Sequence, residues 1–124
     1  RLKTDFLEII KATIDKKLNL INIKWHDSSS LSIVLCSKGY PGNYIKNKEI
    51  KDLDKINLKQ NEFIFHSGTK KVNTKVISNG GRVLNFVVKS NSFKESREII
   101  INQIKKLNWE DGFYRKDIGF KVID

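Results

Sequence analysis

The chain has 124 residues, the size of one domain at the usual ~100–150 residues; its 39% hydrophobic and 31% charged residues, evenly mixed, exclude a disordered polymer. A single cysteine excludes an internal disulfide and a four-thiolate zinc site, and no apolar run approaches the ~18–20 residues of a membrane span. The 24 Lys+Arg against 14 Asp+Glu give a formal charge of +10, which invites a partner carrying phosphate.

That charge has two readings: a nucleic-acid-binding module, or a solvated surface rich in lysine. Lysine supplies 20 of the 24 basic residues, beside 17 Ile and 12 Asn, the mixture that A/T-rich codons produce in any protein. The lysines run from Lys3 to Lys121, never more than two together, and Phe and Tyr do not interleave with them as a base-stacking platform requires. Dedicated phosphate sites favour arginine, whose planar fork bonds phosphate bidentately, so the 4 arginines carry more information. The chain has no Met and starts Arg1-Leu2-Lys3, so it is expected to be a piece of a longer protein; no signal-peptide pattern opens it.

Thr4 to about Leu18 reads as a helix, with Phe6, Ile9, Ile10, Ile14 and Leu18 on one face and Thr4 as its N-cap. Ile21, Ile23 and Trp25 then alternate with polar residues, as on a half-buried strand, and Leu31 to Cys36 is an apolar run of strand length. Gly39-Tyr40-Pro41-Gly42 is a turn-rich break, and residues 50–58 are mixed. Glu62 to His66, Lys71 to Ile77 and Arg82 to Lys89 read as strands, the last two joined hairpin-fashion by Ser78-Asn79-Gly80-Gly81, where glycines readily supply positive φ. Phe93 to Leu107 is a helix opened by the Ser92/Glu95 capping box. Helix, several strands, helix and a closing loop predict an α+β unit on a largely antiparallel sheet.

Three glycine-bearing loops are the candidate sites. Gly39-Tyr40-Pro41-Gly42 is a ligand loop or a structural turn. In His66-Ser67-Gly68-Thr69, the histidine could act as a general base, donate to a substrate, or sit satisfied at the core edge. In Asn79-Gly80-Gly81-Arg82, backbone N–H groups and a guanidinium suit an anion, and a plain turn with a surface arginine is the alternative. Arg115 is a second cation of this kind, or an exposed arginine paired with Asp117. No phosphate-loop, zinc-protease or nucleophile-elbow motif is present, and His26, His66 and Cys36 make no metal-ligand spacing, so neither catalytic nor metal residues are assigned.

Four fragments in order resemble the C-terminal domain of the phosphoribosylamine–glycine ligase (glycinamide ribonucleotide synthetase) family. Leu35-Cys36-Ser37-Lys38-Gly39-Tyr40-Pro41-Gly42-Asn43-Tyr44 is similar to the family's small-residue strand and Gly-Gly-Tyr-Pro-Gly-x-Tyr. Phe65-His66-Ser67-Gly68-Thr69 resembles its Phe-His-Ala-Gly-Thr, Ser78-Asn79-Gly80-Gly81-Arg82-Val83-Leu84 its Thr-Asn-Gly-Gly-Arg-Val-Leu, and Tyr114-Arg115-Lys116-Asp117-Ile118-Gly119 its closing Tyr-Arg-x-Asp-Ile-Gly. Arg1-Leu2-Lys3-Thr4-Asp5-Phe6 resembles the segment that ends the family's ATP-grasp domain. Two positions depart from the pattern: Lys38 replaces a Gly and Ser67 an Ala.

The resemblance implies that residues 1–20 are the last helix of an ATP-grasp domain and residues 21–124 the C-terminal domain, an antiparallel, barrel-like sheet with one long helix packed on it. It implies an enzyme that joins glycine to phosphoribosylamine with ATP: the glycine carboxylate is phosphorylated, the amine displaces phosphate from the acyl phosphate, and glycinamide ribonucleotide, ADP and phosphate leave. ATP and Mg2+ (or Mn2+) would bind mainly outside this chain, which would work in the cytoplasm against the enzyme's N-terminal and ATP-grasp domains, without nucleic acid or membrane. Its own share would be a substrate wall. Arg82 would take the ribose 5′-phosphate, with Asn79, Gly80 and Gly81 shaping the loop, His66, Gly68 and Thr69 at the ribose or amine, and Arg115 completing the positive wall.

Overall fold

The computed structural model describes residues 1–123. Helix α1 (Phe6–Ile14) is capped by Asp5, whose carboxylate accepts from the N–H of Leu7 (2.7 Å) and Glu8 (3.3 Å), not by Thr4. Thr4 is engaged elsewhere, its Oγ1 accepting from the Lys24 N–H at 2.6 Å. The helix also ends earlier than its apolar spacing predicts. Lys16 turns left-handed (φ 57°), and Lys17 N–H returns to the Ala12 carbonyl at 2.7 Å, a Schellman closure that stops the helix before Leu18.

Residues 21–25 are not a strand. They run extended beside residues 2–4, joined by the single bridge Leu2↔Trp25 and by Lys3 N–H to the Lys24 carbonyl (2.9 Å). Ile21 and Ile23 are half-buried while Trp25 is exposed, and among the described residues no neighbouring strand takes up a ladder.

The main sheet has strand order β2-β5-β1-β6, built from β1 (Ser29–Ser37), β2 (Glu62–His66), β5 (Arg82–Ser90) and β6 (Gly112–Phe113), every pairing antiparallel. It is open, with β2 and β6 at its edges, so the expected barrel-like closure is absent. Alternation gives it two unlike faces. Leu31, Ile33, Leu35, Leu84, Phe86 and Val88 lie buried under α2 (Phe93–Ile104), meeting Ile100 at the centre of the core. Ile50 and Ile56 from the irregular 45–58 segment, with Trp109, close this core. α2 starts as its sequence predicts, with Ser92 Oγ accepting from Glu95 N–H at 3.1 Å. The opposite face carries Ser32, Val34, Cys36, Phe63, Phe65, Asn85 and Val87, and among the described residues neither α-helix packs against it.

The predicted strand Lys71–Ile77 is two strands. β3 (Thr69–Val72) and β4 (Lys75–Ser78) form their own antiparallel pair, because Asn73 adopts φ 53° and reverses the chain. The expected hairpin between residues 71–77 and 82–89 is therefore not formed: β4 pairs with β3, and residues 79–81 cross from one sheet to the other. α1 contributes no residue to the core; Ala12 is its only buried side chain.

Candidate functional site

The β1/β5 ladder keeps its register from Ser29↔Ser90 to Leu35↔Leu84, then slips so that Cys36 faces Arg82 and Val83 is the extra residue. This bulge sends Val83 fully into the core and leaves Arg82 exposed on the helix-free face. Among the described residues Arg82 forms no ion pair.

Two of the glycine loops meet at this end of the sheet. The N–H groups of Ser67 and Gly68 donate to the carbonyls of Val83 (3.0 Å) and Arg82 (2.9 Å), and Asn79 N–H donates to the Gly68 carbonyl (2.7 Å). The space between them admits no side chain. A Cβ on Gly68 would stand 2.7 Å from Gly80 Cα, and one on Gly80 would stand 2.9 Å from Gly68 Cα. Gly81 is covered by the Tyr40 ring, which a Cβ there would overlap. The third loop thus joins the same place through Tyr40.

The glycines' purpose differs from the expected one. Among the described glycines positive φ occurs at Gly39 and Gly119, not at Gly80 or Gly81, so close approach rather than a left-handed turn requires them. Their carbonyls turn inward to fully buried Ser37, which donates from N–H to Gly81 O and from Oγ to Gly80 O, both at 2.8 Å. The site's positive charge therefore rests on the Arg82 guanidinium.

A cavity of about 450 Å³ opens here, lined by Val34, Tyr40, Ser67, Gly81, Arg82 and Asn85. Asn85 Nδ2 donates to Ser67 Oγ at 2.6 Å, bridging strand β5 to the loop after β2. Burial pushes the Cys36 thiol above its ordinary value, and the nearby Arg82 charge pulls the other way.

His66 and Thr69 are bonded to each other, Nδ1 to Oγ1 at 2.9 Å. His66 does not line the Arg82 cavity. It borders another of about 620 Å³, with Glu49, Asp52, Asp54 and Lys75, because His66 alternates with outward-facing Phe65 and shares the side of Ile64. Arg115 is bidentate on Asp117 (Nη2–Oδ2 2.6 Å, Nε–Oδ1 3.1 Å), and hydrogen bonding by that guanidinium holds the Asp117 carboxyl below its ordinary range. Arg97 ties their loop to α2 by donating to the carbonyls of Ile118 and Lys116. Neither Arg115 nor Asp117 lines the Arg82 cavity.

The structure thus brings Gly68, Asn79, Gly80, Gly81 and Arg82 together, and leaves His66, Thr69 and Arg115 with partners of their own. Tyr40, Ser67 and Asn85 join the site without having been assigned to it from sequence. Asn85 was detectable as a carboxamide at an outward position in the otherwise apolar run Val83-Leu84-Asn85-Phe86-Val87-Val88.

Among the described residues no three of His, Cys, Asp and Glu stand together as metal ligands, and Glu49 and Asp52 are already paired with Lys75 (3.0 Å) and Lys55 (2.7 Å).

Residues 30–121 match the family described as "Phosphoribosylglycinamide synthetase, C domain". The phosphoribosylamine–glycine ligase of Caldanaerobacter subterraneus subsp. tengcongensis is 43% identical over 118 residues, covering 95% of this chain and 28% of that protein. That of Vibrio vulnificus is 37% identical over 123 residues, covering 99% of this chain and again 28% of the relative. The crystal structure of phosphoribosylamine–glycine ligase from Thermotoga maritima superposes with a TM-score of 0.64 at 25% identity, over 89% of this chain and 27% of that one. The chain therefore spans little more than a quarter of the length of these relatives. With the match running from before the bulged strand to beyond the Arg115 loop, this chain belongs to the phosphoribosylglycinamide synthetase C-domain family.

Proposed function

We propose that this chain is the C-terminal part of an ATP-dependent ligase that joins glycine to 5-phosphoribosylamine in purine biosynthesis, and that it contributes the wall receiving the ribose phosphate. The observation that carries this reading is the exposed Arg82 guanidinium, free of carboxylates among the described residues, at the rim of a cavity in which Ser67 and Asn85 supply further polar groups. A phosphate dianion is well served by such a fork, and backbone anchoring of Arg82 through its carbonyl to Gly68 N–H (2.9 Å) keeps the arginine in place without side-chain partners. Gly80 and Gly81 add N–H groups that donate to no backbone carbonyl among the described residues.

The chain holds no catalytic group in this reading. Glycine activation, with ATP and Mg2+ or Mn2+, belongs to the ATP-grasp region of the longer cytoplasmic enzyme, and this piece alone is inactive. α1 supports membership in a larger body: Phe6, Leu7, Ile10 and Ile14 are 39–73% exposed, an apolar row that a free surface helix does not keep. We place residues 1–20 with the preceding domain as its final helix. The backbone bonds tying residues 24–26 to residues 1–4 draw the following extended segment to the same side.

The test is Arg82→Ala in the ligase that contains this domain. The apparent constant for phosphoribosylamine should rise at least about 10-fold, the loss expected for a charge-assisted bond worth ~1.5–3 kcal/mol, with the constant for ATP unchanged. Equal effects on both substrates contradict the assignment.

A further inference from the structure

Beside Arg82, the same cavity holds a polar pair that an anion alone does not need. Ser67 is fixed by its N–H on the Val83 carbonyl (3.0 Å), and Asn85 projects from β5 on the helix-free face, in register with Phe65 and Val34. Asn85 Nδ2 donates to Ser67 Oγ at 2.6 Å. A serine hydroxyl has one donor and two acceptor positions, and a carboxamide has two donors and an acceptor oxygen. Once Asn85 has filled one lone pair of Ser67, the Ser67 O–H remains to donate and Asn85 Oδ1 remains to accept. Neither is engaged by another described residue.

A donor and an acceptor are thus held side by side, in a cavity that the Arg82 guanidinium also lines. A ring hydroxyl both gives and takes a hydrogen bond, so this pair suits a hydroxyl-bearing ligand anchored through its phosphate. Inorganic phosphate held on Arg82 has no ring hydroxyl to offer. We infer that Ser67 reads a hydroxyl of a pentose phosphate whose phosphate rests on Arg82, and that Asn85 positions Ser67 for it. The inference rests on the anion site proposed above and adds the feature that separates a sugar phosphate from a bare anion. Ser67 is exposed, so removing its hydroxyl disturbs no core contact.

The experiment titrates the ligase that contains this domain with ribose 5-phosphate and, separately, with inorganic phosphate at one pH and ionic strength, by calorimetry. The wild-type ligase should bind ribose 5-phosphate more tightly than inorganic phosphate. Ser67→Ala and Asn85→Ala should each weaken ribose 5-phosphate about 3–10-fold, the range of one neutral hydrogen bond, and leave inorganic phosphate unchanged. Ser67→Thr, which keeps the hydroxyl, should keep the preference, while Arg82→Ala should weaken both ligands. Unchanged affinity of Ser67→Ala for ribose 5-phosphate overturns the hydroxyl contact, with Arg82 dependence leaving the anion site standing. Equal weakening of both ligands by Ser67→Ala marks a structural role and overturns it too. Failure of the wild-type ligase that contains this domain to bind either ligand overturns the anion site and this inference together.

Discussion

Cys36 and Arg82 face each other across the bulge that ends the β1/β5 ladder, and the guanidinium acts directly on the thiol's ionisation. Burial is the larger influence and raises the thiol above its ordinary value of 9.0; the arginine's charge partly offsets it. In Arg82→Ala, the pH midpoint of Cys36 alkylation should therefore move upward. Using the midpoint rather than the rate separates charge from access. A midpoint that stays or falls would contradict the juxtaposition of these two residues.

The contact of Gly68 with Gly80 predicts a ranking of alanine substitutions. A Cβ on Gly68 would press on Arg82 O at 2.6 Å as well as on Gly80 Cα, whereas Gly42 meets only Gly39 O at 3.4 Å. Gly68→Ala and Gly80→Ala should each cost ~1–3 kcal/mol in urea unfolding, and Gly42→Ala well under 1 kcal/mol. Both costly variants should also lose ribose 5-phosphate affinity, because the backbone that must shift is the one that carries Arg82.

The two faces of the sheet predict opposite responses to truncating an aromatic ring. Phe86 is wholly buried beneath α2, and Phe86→Ala should cost ~3–5 kcal/mol. Phe63 is 44% exposed and stacks on Phe65 with ring centres 5.9 Å apart, so Phe63→Ala should cost no more than ~1 kcal/mol. Denaturant midpoints of the two variants, compared at unchanged m-value, check this.

The Arg115–Asp117 pair predicts a local pH dependence. Hydrogen bonding from Arg115 lowers the folded Asp117 pKa below its ordinary 3.8, so the pair's contribution is present above the unfolded value and is lost as pH falls through the lowered folded value. The Asp117 carboxyl resonance should titrate below 3.8 in the wild-type chain and return toward that value in Arg115→Ala. Because both side chains are largely solvent-exposed, global stability should change little.

Both helices are legible in the sequence because Phe6, Ile9 and Ile10, and later Phe93, Ile100 and Ile104, repeat at helical spacing behind acidic or hydroxyl caps. Their limits are less so. Nothing in Lys16 announces a left-handed residue, and Asn73 is one of 12 asparagines, of which it and Asn47 and Asn61 are the left-handed ones. The alternation at residues 21–25 shows which side chains point together, but not whether a partner strand exists. The same limit governs the site. The glycines and Arg82 are readable as a cluster, since glycines beside a guanidinium suit an anion. That His66 and Arg82 serve different cavities depends on strand parity and on the slip at Leu35/Cys36, which only the folded register supplies. Asn85 lies mid-strand, away from the glycine loops, and only the folded register brings its carboxamide to Ser67.

Arg82 as the anchor of a ribose phosphate at the meeting of these loops is tested by an amide-resonance titration, with ribose 5-phosphate, of the ligase carrying the wild-type or the Arg82→Ala domain. Saturable shifts should appear at residues 67–68, 79–82 and 85 of the wild-type domain and be abolished by Arg82→Ala. Shifts confined to scattered lysines, or shifts at these residues that survive the substitution, would contradict that anchoring.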